Sequence, residues 1–168
     1  MQEILLQSLN VGAVWLAEAL GKERFYSYLH NFGLAERTLI DLPNEATGDL
    51  RNLESTRFIE YATASFGQGI AMTPLEIGRA LASIANGGYL VEPYVVEGRH
   101  NDRSPKRVLK EESATIVTRM LVEVVDTKLA EGKSRIPGYS VAAKTGTAQI
   151  PNQGERGYSE DFLHTFFG

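Results

Sequence analysis

The chain contains no cysteine, so disulfides and thiolate chemistry are excluded and the redox compartment is left open. No apolar run approaches the roughly 20 residues that a bilayer-spanning helix needs, and the first residues carry no signal-peptide pattern. Positive charge is scarce: 17 Lys and Arg stand against 21 Asp and Glu, for a net charge of -4. Without a basic footprint, nucleic acid is not an expected partner. Repeats, low-complexity tracts and linkers are also missing, which argues for one domain. His30 has no second ligand four residues on, so neither a metal nor a cofactor is expected.

At 168 residues, 43% apolar and 23% charged, the chain is long enough to bury a core of its own. Its sharpest chemical feature is Lys144-Thr145-Gly146-Thr147-Ala148-Gln149, directly after the apolar Val141-Ala142-Ala143. A cation, two hydroxyls and a glycine at the end of a strand make a cradle for an anion. Lys144 supplies charge, Thr145 and Thr147 supply donors, and Gly146 permits close backbone approach. Such a cradle suits a carboxylate and the developing oxyanion of acyl transfer. A phosphate loop is the competing reading. Residues 138 to 145 read G-Y-S-V-A-A-K-T, with Ala143 in place of the second glycine, and that reading requires a helix after the lysine. A strand end carrying a surface lysine is the plainer alternative.

Local patterns place the remaining elements. Residues 11 to 20 (VGAVWLAEAL) are apolar almost all round and predict a buried helix, with Trp15 in the core and Ser8 or Asn10 as N-cap. A second helix is expected over 22 to 32, with Phe25, Tyr28, Leu29 and Phe32 on one face and Gly33 as its left-handed cap. Pro43, Asn44 and Gly48 mark turns in a polar stretch, where residues 40 to 42 suggest a short strand. Residues 62 to 69 read as a flexible connector or as a loop lining the site. Thr73-Pro74-Leu75-Glu76 is a capping box with proline in the first turn, and Ile77, Leu81, Ile84 and Ala85 predict its buried stripe. Strand character is expected over 89 to 96, with Pro93 as a break, followed by a polar turn over 99 to 107. A helix is expected over 112 to 126 with Val117, Met120, Leu121, Val124 and Val125 inward, and then a loop over 129 to 135. The lysine motif is placed on a strand from 139 to 150, connected by a hairpin over 152 to 160 to a strand at 162 to 168. The order predicts an α/β (α+β layered) fold with helices packed on an antiparallel sheet.

The motifs combine into a resemblance. Ser8-Leu9-Asn10, Phe66-Gly67-Gln68-Gly69, Met72-Thr73-Pro74-Leu75, Ile136-Pro137-Gly138-Tyr139 and the lysine motif occur in an order that resembles the transpeptidase domain of class B penicillin-binding proteins. The resemblance runs along nearly the whole chain and implies the penicillin-binding transpeptidase or serine β-lactamase-like fold. No serine is followed three residues later by lysine, so the S-x-x-K nucleophile motif is absent. The chain is therefore expected to be an internal piece of a single transpeptidase domain, incomplete at both ends and inactive alone.

The resemblance implies D,D-transpeptidation: acyl transfer from D-Ala-D-Ala stem peptides of peptidoglycan, with β-lactams as mimics. It implies that Ser8, Asn10 and Lys144 are catalytic. Ser8 would pass a proton to the leaving group, and Asn10 would bond the substrate amide. Thr145, Gly146 and Thr147 would bind substrate, the Thr147 N–H serving as an oxyanion donor. A parent protein anchored in the bacterial cytoplasmic membrane, with this domain outside, is implied, as are division or elongation proteins as partners. A β-lactamase or D,D-carboxypeptidase of the same fold, and a non-catalytic remnant, remain alternatives.

Overall fold

The structure, a computed structural model, describes residues 1–98, 104–152 and 157–167. Its helices are α1 (Gln2–Leu6), α2 (Asn10–Leu20), α3 (Lys22–Asn31), α4 (Phe58–Ala64), α5 (Pro74–Ala85) and α6 (Glu111–Thr127). Two short antiparallel ribbons accompany them, β1 (Tyr89–Leu90) with β2 (Lys106–Arg107) and β3 (Lys144–Pro151) with β4 (Tyr158–Phe167). Helices laid against antiparallel strands meet the α/β expectation.

The helices form two groups. In the first, α2 packs on α3 and α4 around Ala17, Leu34, Leu50, Leu53, Tyr61 and Ala64. The Phe25 ring meets Tyr61 edge-on at 5.4 Å, and the Tyr61 hydroxyl donates to the Ala17 carbonyl. Leu29 and Phe32 join this cluster as expected, whereas Tyr28 is exposed. In the second group, α1 and α5 both pack on α6, which also touches β3.

Helix α2 departs from its sequence pattern. It buries Ala17 alone, and Trp15 is 62% exposed. At about 100° per residue, Trp15 lies roughly 200° around the helix from Ala17, so seating Ala17 against Tyr61 turns the indole outward. Neither Ser8 nor Asn10 caps the helix with its side chain: Leu9 is the N-cap and Asn10 the first helical residue.

Helix α5 starts as predicted. Thr73 Oγ1 accepts from the Glu76 N–H at 3.2 Å, while Glu76 Oε2 accepts from the Thr73 N–H at 2.8 Å. Glu76 Oε1 also accepts from the Gly48 N–H at 2.8 Å, tying the 48–49 segment to this helix. Its buried side is Glu76, Arg79 and Ser83, not the predicted apolar stripe. Arg79 Nη2 donates to the Gly33 carbonyl at 3.0 Å, so polar staples occupy that side. Ile77, Leu81, Ile84 and Ala85 instead line an apolar groove of about 720 Å³ beside α6 and residues 142–146.

Several strand expectations need correction. Residues 40 to 42 form no strand: Ile40 is irregular, Asp41 and Leu42 are in a bend, and the Asp41 carboxylate accepts from the Val95 and Val96 N–H groups at 2.7 and 2.9 Å in place of a strand ladder. That staple also leaves only Tyr89 and Leu90 as strand in the 89–96 run. The 62–69 segment starts inside α4 and then turns, with Gly67 and Gly69 at φ +89° and +73°. Strand β3 begins at Lys144, five residues later than expected, and β4 begins at Tyr158, four residues earlier. The predicted loop after α6 contains a 3-10 turn over Leu129–Gly132. Of the expected 99–107 turn, residues 99–103 lie outside the described residues, as do 153–156 of the hairpin and Gly168.

Candidate functional site

Both halves of the site hang from α6. On one side, Gln2 at the start of α1 donates its carboxamide to Glu123 of α6. Helix α1 then closes in a Schellman turn: Leu9 N–H bonds the Ile4 carbonyl at 3.0 Å and Ser8 N–H bonds the Leu5 carbonyl at 3.4 Å. Ser8 occupies the left-handed position of that turn, at φ +51°, where glycine is the usual residue. The turn ends α1 and lets α2 start at Asn10, which brings Ser8 and Asn10 to one junction. On the other side, the Ala143 N–H bonds the Leu121 carbonyl of α6 at 3.5 Å, one residue before β3 opens with Lys144.

The two halves meet. Lys144 Nζ donates to Ser8 Oγ at 2.6 Å and to the Thr145 carbonyl at 2.9 Å. Burial holds the Lys144 ammonium below its ordinary pKa, because the charged form loses solvation there. Since Ser8 Oγ accepts from the ammonium, the serine's own proton is available to another acceptor.

A cleft of about 570 Å³ lies at this junction, and Ser8, Asn10, Lys144, Thr145, Gly146 and Thr147 all line it. The six residues singled out in the sequence thus share one wall. Phe66 and Gln68 line it too, which places the 66–69 turn at the site and not in a passive connector. Gln149 was missed, although strand alternation gives it the face of Thr145 and Thr147. The role of α1 was missed as well, since five residues are too few for a periodicity to register.

The phosphate-loop reading fails on geometry. Lys144 opens a strand that runs to Pro151, and among the described residues no helix follows it to wrap a phosphate. Among the described residues, no cluster of His, Asp and Glu is arranged to hold a metal ion.

Comparison with known proteins is consistent along the chain. Residues 1–168 match the family described as penicillin binding protein transpeptidase domain. Stage V sporulation protein D of Bacillus subtilis is 36% identical, over 91% of this chain and 25% of that protein. Penicillin-binding protein PbpB of Mycobacterium tuberculosis is 34% identical, over 96% of this chain and 26% of its own length. Among solved structures, penicillin-binding protein 3 of Mycobacterium tuberculosis, complexed with ampicillin, superposes with a TM-score of 0.87 at 32% identity. That match covers 99% of this chain and 40% of the other. The chain thus spans about a quarter of the length of these curated relatives.

Proposed function

This chain belongs to the family of penicillin-binding protein transpeptidase domains, and from that premise we propose that its cleft is one wall of a serine D,D-transpeptidase site acting on peptidoglycan stem peptides. The contact between Ser8 and Lys144, 136 positions apart in sequence, is the observation that carries this reading. Acyl transfer needs a nucleophile, a proton path to the leaving amine, an anchor for the substrate and an oxyanion site.

In this reading a serine outside residues 1–168 supplies the nucleophile. Its oxygen adds to the penultimate D-alanine carbonyl and its proton passes to a base beside it. The carbon–nitrogen bond then breaks, and D-alanine leaves with a proton delivered through Ser8. Lys144 holds Ser8 Oγ as an acceptor and can replace the proton that Ser8 gives up, a task that its lowered pKa assists. Asn10 holds the substrate amide, the Thr145 and Thr147 hydroxyls hold the terminal carboxylate, and the Thr147 N–H is one oxyanion donor. Gly146 keeps the strand free of a side chain between them. An amine of a neighbouring strand finally displaces the serine from the ester. Among the described lining residues no carboxylate stands in the cleft to activate water, which favours transfer to an amine over the hydrolysis of a β-lactamase or carboxypeptidase.

We place residues 1–168 within one such domain, on the outer side of a membrane-anchored bacterial protein that works with the division or elongation machinery. No helix of the described residues is long and apolar enough to cross a membrane. The test is covalent labelling by a fluorescent penicillin, read after denaturation. The full-length protein is expected to label, and residues 1–168 alone are expected to remain unlabelled. Labelling of the isolated 1–168 chain would place the nucleophile inside it and overturn the assignment.

A further inference from the structure

Three carboxamides line the cleft, those of Asn10, Gln68 and Gln149, and among the described lining residues Lys144 is the one ionisable side chain. Gln68 sits between Gly67 and Gly69, and its backbone N–H bonds the Thr63 carbonyl at 3.0 Å. The Asn52 carboxamide holds the Gly69 carbonyl at 2.5 Å, so the turn is pinned on both sides of Gln68. Gln149 lies two residues beyond Thr147 on β3. No hydrogen bond joins the carboxamide of Gln68 or Gln149 to another described residue.

We propose that Gln68 and Gln149 determine specificity by selecting donor peptides whose third residue from the C terminus presents a carboxamide and not a carboxylate. The proposal rests on the acyl-transfer reading above and deepens it. Two residues of extended strand span about 7 Å, the same step as two residues of an extended peptide. With the terminal carboxylate held at Thr145 and Thr147, the group that reaches Gln149 therefore belongs to the third residue from the peptide's end.

A glutamine side chain offers both a carbonyl acceptor and an amide donor, and a substrate carboxamide matches both. A carboxylate offers acceptors only, so it can take the glutamine N–H donors but gives nothing to the glutamine carbonyls, and each pairing loses one of its two complementary bonds. Its charge would also stand in the cleft without a second cation beside it, since Lys144, the one ionisable side chain among the described lining residues, is engaged at Ser8.

The experiment uses the full-length protein and two synthetic pentapeptides ending in D-alanyl-D-alanine. They differ only in whether the third side chain from the C terminus ends in a carboxamide or a carboxylate. D-Alanine release is expected to show kcat/KM about tenfold higher for the carboxamide peptide, mainly through KM. Gln149→Arg is expected to level or invert that ratio, and Gln68→Leu to reduce it. Because each ratio is taken within one preparation, partial misfolding of a variant cancels. Equal kcat/KM for the two peptides, or a ratio unchanged in both variants, overturns the proposal.

Equilibrium binding of the same peptides separates this from the reaction itself. Preferential binding of the carboxamide peptide without D-alanine release or a penicillin adduct supports the specificity and refutes the acyl-transfer reading. Equal binding of the two, or binding of neither, overturns the specificity.

Discussion

Lys144 Nζ and Ser8 Oγ, from opposite ends of the chain, lie 2.6 Å apart, and α6 anchors the segments that carry them. Replacing Lys144 removes the donor and the charge together. In the full-length protein, Lys144→Ala is expected to slow penicillin acylation by roughly 100-fold or more while leaving the thermal unfolding midpoint nearly unchanged. Lys144→Arg should not restore the rate, because a guanidinium keeps its proton at any working pH. Stopped-flow acylation rates beside a thermal melt check both statements.

Ser8 carries a backbone conformation that costs an L-residue about 1 kcal/mol and glycine almost nothing. Ser8→Gly is therefore expected to be neutral or to stabilise by up to about 1 kcal/mol while lowering peptide turnover. Ser8→Ala loses the hydroxyl but keeps the strain. Denaturant unfolding of the pair should rank glycine above alanine; the opposite order would remove the Schellman argument.

The depressed pKa of Lys144 gives stability a definite pH slope. Between the folded value and the ordinary value of 10.5, the unfolded chain binds more protons than the folded one. Stability contributed at this site therefore rises as pH increases through that window and is flat below it, where both states carry the proton. Lys144→Met is expected to lack this component, and parallel denaturation curves from neutral to alkaline pH will reveal the difference.

Gly33 illustrates a packing constraint. It lies at φ +76°, and a β-carbon there would stand 1.8 Å from Arg79 Nη2. Gly33→Ala is expected to destabilise by about 2–3 kcal/mol through strain and the displaced guanidinium. Combined with Arg79→Ala, the second change should cost less than it does alone, because the contact is already lost.

Glu76 is fully buried and gives one oxygen to the Thr73 N–H and the other to the Gly48 N–H. Glu76→Gln turns one of those acceptors into a donor facing a donor. A loss of about 1–3 kcal/mol is expected from the unfolding midpoint.

What could be read from residues was chemistry that depends on near neighbours. The capping box at Thr73 and Glu76 needs three positions and came out as expected. Gly33 as a left-handed residue after α3 also needs only local geometry. Trp15 and the α5 stripe were misplaced for one reason. Apolar periodicity identifies a face suited to burial, but whether that face is covered depends on what the rest of the chain brings to it. Tyr61 drew α2 round by Ala17, while Glu76 and Arg79 gave the covered side of α5 to hydrogen bonds. Strand limits failed similarly, since Asp41 captured two N–H groups from 54 and 55 positions away.

The order and identity of Ser8, Asn10, the 66–69, 72–75 and 136–139 segments and the 144–149 motif were sufficient to point to a family, because residue types and their order along the chain are read directly from the sequence. Tertiary structure decided which of them share a cleft. Hydrogen bonds and packing on α6 fix that geometry across more than a hundred positions, and it also brought to the cleft the side chains of Gln68 and Gln149, which the sequence motifs contain but to which no role had been given.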